Sequence, residues 1–253
     1  MGSEQIVPTL RSIAREYPPG LVDAQLQDVE RIAFHIELVL SRKGAARKVC
    51  DLGGGVGLFS VGCQALEINA TLVDDFGDPV NENFGEGSLD LHKSYGVEVV
   101  SRDLIGEGID FPAESFDAVT TFDSMEHWHH SPKKLFHAVM ECLTPGGLFI
   151  LGVPNNVNLR KRITVPLGVG DWSPMKEWYE PDRFRGHVRE PSVADLLYIA
   201  RDMGLTSVSI FGRNWLGYTS RFPFVRALVP LGDKALRHFP SLCSDIYMIG
   251  TKP

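Results

Sequence analysis

Between Leu21 and Lys43 the apolar residues return every three or four positions: Leu26, Val29, Ile32, Ala33, Ile36, Val39 and Leu40. Arg42 and Lys43 occupy the expected last turn and Gly44 follows as a stop, so this spacing predicts a helix. After it the period changes. Apolar runs at Lys48–Leu52, Ala70–Val73, Val97–Val100, Ala118–Phe122 and Leu148–Val153 read as strands. Helix-like stretches at Phe59–Leu66 and Pro132–Leu143 lie between them, the second opened by Ser131 as N-cap and Pro132 as first helical residue. Thr144-Pro-Gly-Gly147 reads as a tight turn, with proline setting one dihedral and glycine supplying a positive φ.

Strands alternating with helices imply an α/β fold, a parallel sheet with helices on both faces. Near the end of the chain the pattern changes. Ser192-Val-Ala-Asp195 is a capping box that opens a helix stopping at Gly204. Thr206–Phe211 and Ile246–Thr251 then read as a late strand pair, suited to a hairpin at one sheet edge.

Composition narrows the function classes. The chain has 253 residues, 43% hydrophobic and 23% charged, the ordinary balance of a globular protein of one elaborated domain. Its net charge of −7 argues against non-specific nucleic-acid binding, which runs on Lys and Arg neutralising phosphates. No stretch approaches the ~20 apolar residues of a membrane span, and the polar start Met-Gly-Ser-Glu-Gln lacks a signal peptide's apolar core. Cys50, Cys63, Cys142 and Cys243 lie far apart, without a CxxC pair or histidines at zinc spacing. They read as reduced, buried thiols in a cytoplasmic protein.

The candidate chemistry starts at Asp51-Leu-Gly53-Gly54-Gly55-Val-Gly57, a glycine cluster between a short strand and a helix. Glycine there lets the backbone turn sharply and approach a ligand beyond the carboxyl ends of the strands. The spacing departs from G-x-G-x-x-G, since Leu58 or Ser60 stands at the third glycine, and no Gly-Lys-Ser/Thr ending marks a phosphate loop. Asp51 would also sit awkwardly beside a pyrophosphate and suits a cationic or amino-bearing ligand. The second strand ends in Asp74-Asp75, where a carboxylate can accept both hydroxyls of a ribose.

Together these residues resemble class I S-adenosylmethionine-dependent methyltransferases. Further matches follow in order: Ser101-Arg-Asp103-Leu104, Ser115-Phe-Asp-Ala-Val119, Met125-Glu-His127 and Leu143-Thr-Pro-Gly-Gly147, so the likeness covers roughly Lys48 to Gly204. The resemblance implies a Rossmann-like, doubly wound seven-stranded sheet with its last strand antiparallel. It implies S-adenosylmethionine as cofactor, with Asp51, Gly53, Gly54, Gly55 and Gly57 facing its methionine part. Asp74 or Asp75 would bind the ribose, and Asp103 and Leu104 would frame the adenine, with Phe122 beside the cofactor. The expected layout is one domain over 1–253, with an N-terminal helical extension at 1–46 and substrate-side insertions at 155–190 and 213–243.

Phe122-Asp-Ser-Met-Glu-His-Trp-His-His130 follows the fourth strand, where the family's methyl group projects. A neutral histidine is a suitable base for a hydroxyl acceptor, and His127 leads, with His130 in the same run. Asp123 would orient a base or face the acceptor. A divalent-metal reading of Asp123, Glu126, His127 and His130 exists, since several sugar methyltransferases use Mg2+, but carboxylates and histidines this close in sequence cannot all point to one ion. No metal ligand is therefore assigned.

The first insertion mixes Arg160-Lys-Arg162 with Trp172, Trp178, Tyr179 and His187, suited to a sugar or an acidic acceptor. Arg185-Gly-His187-Val-Arg189 resembles a stretch of bacterial methyltransferases that modify glycans, which makes His187 a second base candidate. The other insertion, Arg213 to Cys243, holds five basic residues and one acid among aromatics, suited to a lid, an oligomer contact or a membrane surface. The expected activity is O-methylation of a saccharide or glycan precursor. Methylation of a carbon or phenolic hydroxyl on a lipophilic metabolite is the alternative, and a cofactor-binding protein without turnover stands further off.

Overall fold

The computed structural model describes residues 3–41, 46–77, 89–170, 173–182, 184–215 and 232–253. Seven strands form one sheet: β1 (Lys48–Leu52), β2 (Asn69–Asp74), β3 (Glu98–Ser101), β4 (Phe116–Phe122), β5 (Leu143–Pro154), β6 (Thr206–Arg213) and β7 (Asp245–Thr251). Their order is β3-β2-β1-β4-β5-β7-β6. β1 to β5 pair in parallel, whereas β7 runs antiparallel to both β5 and β6. The fold is therefore the Rossmann-like, doubly wound α/β sheet with its last strand antiparallel. The late pair lies at one end of the sheet as an antiparallel pair, with β7 inserted between β5 and β6 and β6 as the outermost strand on that side.

The helices are α1 (Ser3–Ala14), α2 (Pro19–Leu40), α3 (Leu58–Ala65), α4 (Lys133–Cys142), α5 (Leu159–Thr164), α6 (Met175–Tyr179) and α7 (Val193–Asp202). Strand side chains alternate between two cores. On one face Val49, Ile150, Tyr247 and Ile249 pack with α1, α2 and α3 through Leu10, Ile36 and Leu58. On the other, Cys50, Phe149, Leu151 and Met248 pack with α4 and α7 through Phe136, Val139 and Leu196. Continuous apolar strands in sequence are the mark of a sheet covered on both sides.

Local signals mostly set the ends. The capping box is present, the Ser192 hydroxyl accepting from the Asp195 N–H and Asp195 bonding back, and Gly204 takes φ 71° after α7. Thr144–Gly147 bulges from the β4–β5 ladder, which jumps from Phe116↔Leu143 to Ala118↔Leu148, with Gly146 at φ 78°. At α4 the expectation is one residue out: Pro132 is the N-cap and Ser131 instead accepts from the Lys133 N–H at 3.3 Å. α1, with Pro8 inside it, buries Ile6, Leu10 and Ile13 in the first of these cores. The Arg42–Gly44 stop lies outside the described residues. All four cysteines are free and buried. Among the described residues no helix is long and apolar enough to cross a membrane.

Candidate active site

A cavity of about 950 Å³ opens where β1, β2 and β4 end. β1 lies between β2 and β4, and the sheet winds in opposite directions on its two sides. Such a switch point leaves a crevice beyond the carboxyl ends of the strands.

The turn after β1 supplies one wall. Gly53 and Gly55 adopt φ of 74° and 55°, in the left-handed region that favours glycine. A Cβ at Gly53 would stand 1.9 Å from the Ser124 Oγ, and one at Gly54 would stand 2.1 Å from the Asp51 Oδ2. At Gly55 it would meet nothing within 4 Å, so that side of the loop is open. Asp51 is buried under the loop, accepting from the Ser60 hydroxyl at 2.9 Å and the Thr120 hydroxyl at 3.1 Å. Burial pushes its carboxyl up to about 6, against the pull of those two hydrogen bonds.

The second wall comes from β2 and the residues after β3. Asp74 accepts the Gly55 N–H at 2.9 Å and the Phe76 N–H at 2.7 Å, one on each oxygen, and so pins the glycine loop to the end of β2. Asp75 is exposed and accepts the Gly77 N–H at 2.8 Å. Asp103 closes a turn by accepting from the Ile105 and Gly106 N–H groups, both at 3.0 Å, while Leu104 is buried. All ten residues expected to hold the cofactor (Asp51, Gly53, Gly54, Gly55, Gly57, Asp74, Asp75, Asp103, Leu104 and Phe122) line this one cavity. A pyrophosphate would meet the carboxylates of Asp51 and Asp74.

The third wall follows β4. Asp123 takes φ 49° and donates its N–H to the Gly152 carbonyl at 2.9 Å. Its carboxylate is not turned to a histidine: Arg31 donates to it at 2.5 Å and also to Asp28 at 2.7 Å. His127 is exposed on the cavity and donates from Nδ1 to the Arg185 carbonyl at 2.8 Å. His129 and His130 are also exposed and line the cavity, and Trp128 lines it while packing on Phe136. His187 is the exception. It is not a lining residue but packs edge-on against His127, ring centroids 4.9 Å apart, with Nδ1 at 2.7 Å from Glu190. Glu190 is in turn ion-paired with the buried Lys161.

Of the four residues weighed for a metal, Glu126 and His127 converge with His187 among the described residues, and Asp123 and His130 are not part of that group. Glu126 faces inward from the tight turn Met125–His127 and is 1% exposed.

Sequence reasoning missed α2 altogether as a wall. Gln25, Asp28, Arg31, Ile32 and His35 line the cavity. Their signal was present, since positions 25, 28, 32 and 35 repeat at helical spacing beside the apolar stripe. His35 stacks on Phe122, centroids 3.9 Å apart and rings 9° from parallel, and faces the Tyr247 hydroxyl at 3.1 Å. Burial, with Arg31 and Arg213 nearby, keeps it neutral. Of the segment expected to build the acceptor pocket, Asp182, Phe184 and Arg185 line the cavity. Trp178 and Tyr179 are exposed and do not, and Trp172 lies outside the described residues. From the second insertion, Arg213 and Arg237 turn to the buried Asp233, and Arg213 also lies over the Phe34 and Trp215 rings. Arg213 is largely covered by these contacts, whereas Arg237 stays exposed while it pairs with Asp233. Residues 216–231 are not among those described.

Residues 24–210 match the family model of a methyltransferase domain. Among solved structures, a SAM-dependent methyltransferase from Archaeoglobus fulgidus superposes with a TM-score of 0.56 at 20% identity, covering 88% of this chain and 92% of that one. A SAM-dependent methyltransferase from Thermotoga maritima gives 0.56 at 17% identity, with 98% and 100% covered. The Haemonchus contortus phosphoethanolamine N-methyltransferase 2, in complex with S-adenosyl-L-methionine, gives 0.56 at 16% identity, with 100% and 57% covered. At these identities the likeness is one of fold. No curated protein matches the chain. The family match over most of the sequence, together with a glycine loop flanked by Asp51 and Asp74, places this chain among the class I S-adenosylmethionine-dependent methyltransferases.

Proposed function

We propose that the protein methylates a hydroxyl of a small polar acceptor of the saccharide or glycan-precursor class. The observation that carries this reading is the histidine-rich edge of the cavity: His127, His129 and His130 line it together with Asp28, Arg31, Asp182 and Arg185. Groups that both donate and accept hydrogen bonds suit a polyhydroxy ligand, whereas a lipophilic acceptor would want an apolar wall.

The cofactor brings the methyl group and its own leaving group. The chain's residues must bind, align, exclude water and deal with one proton. Gly53, Gly54, Gly55 and Gly57 let the backbone approach the methionine part, above Asp51. Asp74 accepts from the ribose hydroxyls, since each of its oxygens spends one lone pair on the backbone and keeps another. Asp75 stands next to it, Asp103 and Leu104 frame the base, and Phe122 packs beneath. At the other end, His127 is oriented through Nδ1 and meets the acceptor's hydroxyl with its ring, as a neutral imidazole able to take the proton. Asp123 acts through Arg31, setting the position of α2 against the end of β4. Four free, buried thiols fit a reducing cytoplasmic setting.

Calorimetry with S-adenosylmethionine, followed by transfer of a labelled methyl group to a panel of sugars, phenols and amines, tests this. Cofactor binding with label on sugars is the expected outcome. Label on phenols or amines alone sinks the acceptor class, and absence of cofactor binding sinks the reading altogether.

A further inference from the structure

Glu126, His127 and His187 each offer one ligand atom, and the three atoms lie within 4.8 Å of one another. Two of these residues are adjacent in sequence, and the third arrives by main-chain hydrogen bonding. The Val188 and Arg189 N–H groups donate to the Glu126 carbonyl at 2.7 and 3.2 Å, so the backbone of Glu126 anchors the segment that carries His187. Each ring is oriented through Nδ1, His127 by the Arg185 carbonyl and His187 by the Glu190 carboxylate. Glu190 is fixed in turn by its ion pair with the buried Lys161 ammonium. Metal-ligating imidazoles are held in this way, by a carbonyl or carboxylate on the nitrogen that does not ligate.

Glu126 supplies the independent observation. It is 1% exposed, and its Oε2 has no hydrogen-bond partner among the described residues. A buried carboxylate oxygen without a donor is costly unless a proton or a cation meets it.

We propose that Glu126, His127 and His187 bind a divalent cation of the later first transition row, such as Zn2+ or Co2+, next to the acceptor end of the cavity. Two imidazoles and one carboxylate match these borderline ions, whereas Mg2+ and Ca2+ prefer all-oxygen sites. Three protein ligands leave a position open for water or an acceptor oxygen, as in catalytic and not structural sites. What the ion does there rests on the hydroxyl-methylation reading above: it would hold the acceptor's oxygen and make its hydroxyl more acidic, so that the proton passes to solvent water before the methyl group is transferred, and His127 would serve as ligand in place of proton acceptor. Whether the ion binds does not rest on that reading.

The test is titration of the full chain, stripped with a chelator, with Co2+, followed by visible absorption and calorimetry. One equivalent is expected to bind, displaced by Zn2+ but not by an equal concentration of Mg2+. Glu126→Gln and His187→Ala are each expected to weaken Co2+ by at least about tenfold, and Glu190→Gln, which leaves all three ligands in place, by about 10- to 100-fold. His137→Ala, on α4, is expected to bind as the unaltered protein does. No Co2+ binding, or equal affinity across the unaltered, Glu126→Gln and Glu190→Gln proteins, overturns the site; ready displacement by Mg2+ overturns the class of ion. Circular dichroism checks each variant's fold, and the near-isosteric Glu126→Gln and Glu190→Gln decide if His187→Ala fails to fold. Calorimetry with S-adenosylmethionine on the same samples separates the two proposals. A protein that binds Co2+ but not the cofactor defeats the methylation reading alone, and the converse defeats the cation site alone.

Discussion

At the glycine end of the cavity, shape comes from the main chain: two left-handed dihedrals, two positions with no room for a Cβ, and one carboxylate bonded to a loop N–H. At the histidine end it comes from side chains of α2, the residues after β4 and the 182–190 segment, joined by the Arg31–Asp123 pair and the His127–Arg185 bond. The first end is a local device, specified by neighbouring residues and intolerant of change at single atoms. The second is an assembly of distant parts, in which each part can be altered without disturbing the sheet. A protein divided in this way can keep one cofactor while its acceptor side varies.

The division can be broken or sharpened by experiment. The largest effect is expected from His127→Ala, a fall of about 10²–10⁴ in kcat with the cofactor Kd unchanged; a Kd that shifts as far as kcat would show that the two ends are not separable. Next comes Asp74→Asn, which removes a charged acceptor. It should weaken cofactor binding by about 10- to 100-fold in calorimetry, with Asp75→Asn weaker in effect. The reverse ranking would give the ribose to Asp75. Gly53→Ala puts a Cβ against the Ser124 hydroxyl at a left-handed φ and should cost about 1–3 kcal/mol in denaturant unfolding. No loss would mean the loop relaxes freely.

The smallest effect concerns Asp51. Its folded pKa of about 6 lies above the ordinary aspartate value of 3.8, so the folded state holds the proton longer than the unfolded chain. Stability from this group is present at low pH, falls as pH rises from about 4 to 6, and is absent above that. Asp51→Asn should therefore raise stability above pH 6 by about 1–2 kcal/mol and leave it unchanged near pH 4, while weakening the cofactor. A gain equal at both pH values would rule out the buried charge as its cause.

The glycine end was legible because its information is contiguous: a strand, Gly53 to Gly57, and an acid closing the next strand. The parallel strands were equally legible as continuous apolar runs between helices, while the seven-stranded layout came from the family resemblance. What stayed hidden depends on pairings across long separations. Arg31 and Asp123 are 92 positions apart and His127 and Arg185 are 58 apart, and no spacing rule links them. The apolar stripe of α2 predicts the helix, but it does not say that Gln25, Asp28, Arg31 and His35 beside that stripe face a cavity. His187 suggested a base, yet its ring faces His127 because Glu126 holds the main chain of the neighbouring residues.

The position of β7 bears on how the protein is made. β6 is synthesised before β7, and among the described strands its only partner is β7. Until β7 emerges, β5 ends the parallel sheet as an open edge along Leu148–Pro154, and β6 has no place to dock. At ordinary elongation rates the stretch between Arg213 and Asp245 keeps both edges open for on the order of seconds. A ribosome pausing there would hold the nascent chain with two sticky ladders exposed. Arrival of one strand then closes the gap and delivers Asp245 and Tyr247 beside His35 and Arg31, so the pocket becomes complete only when the sheet does.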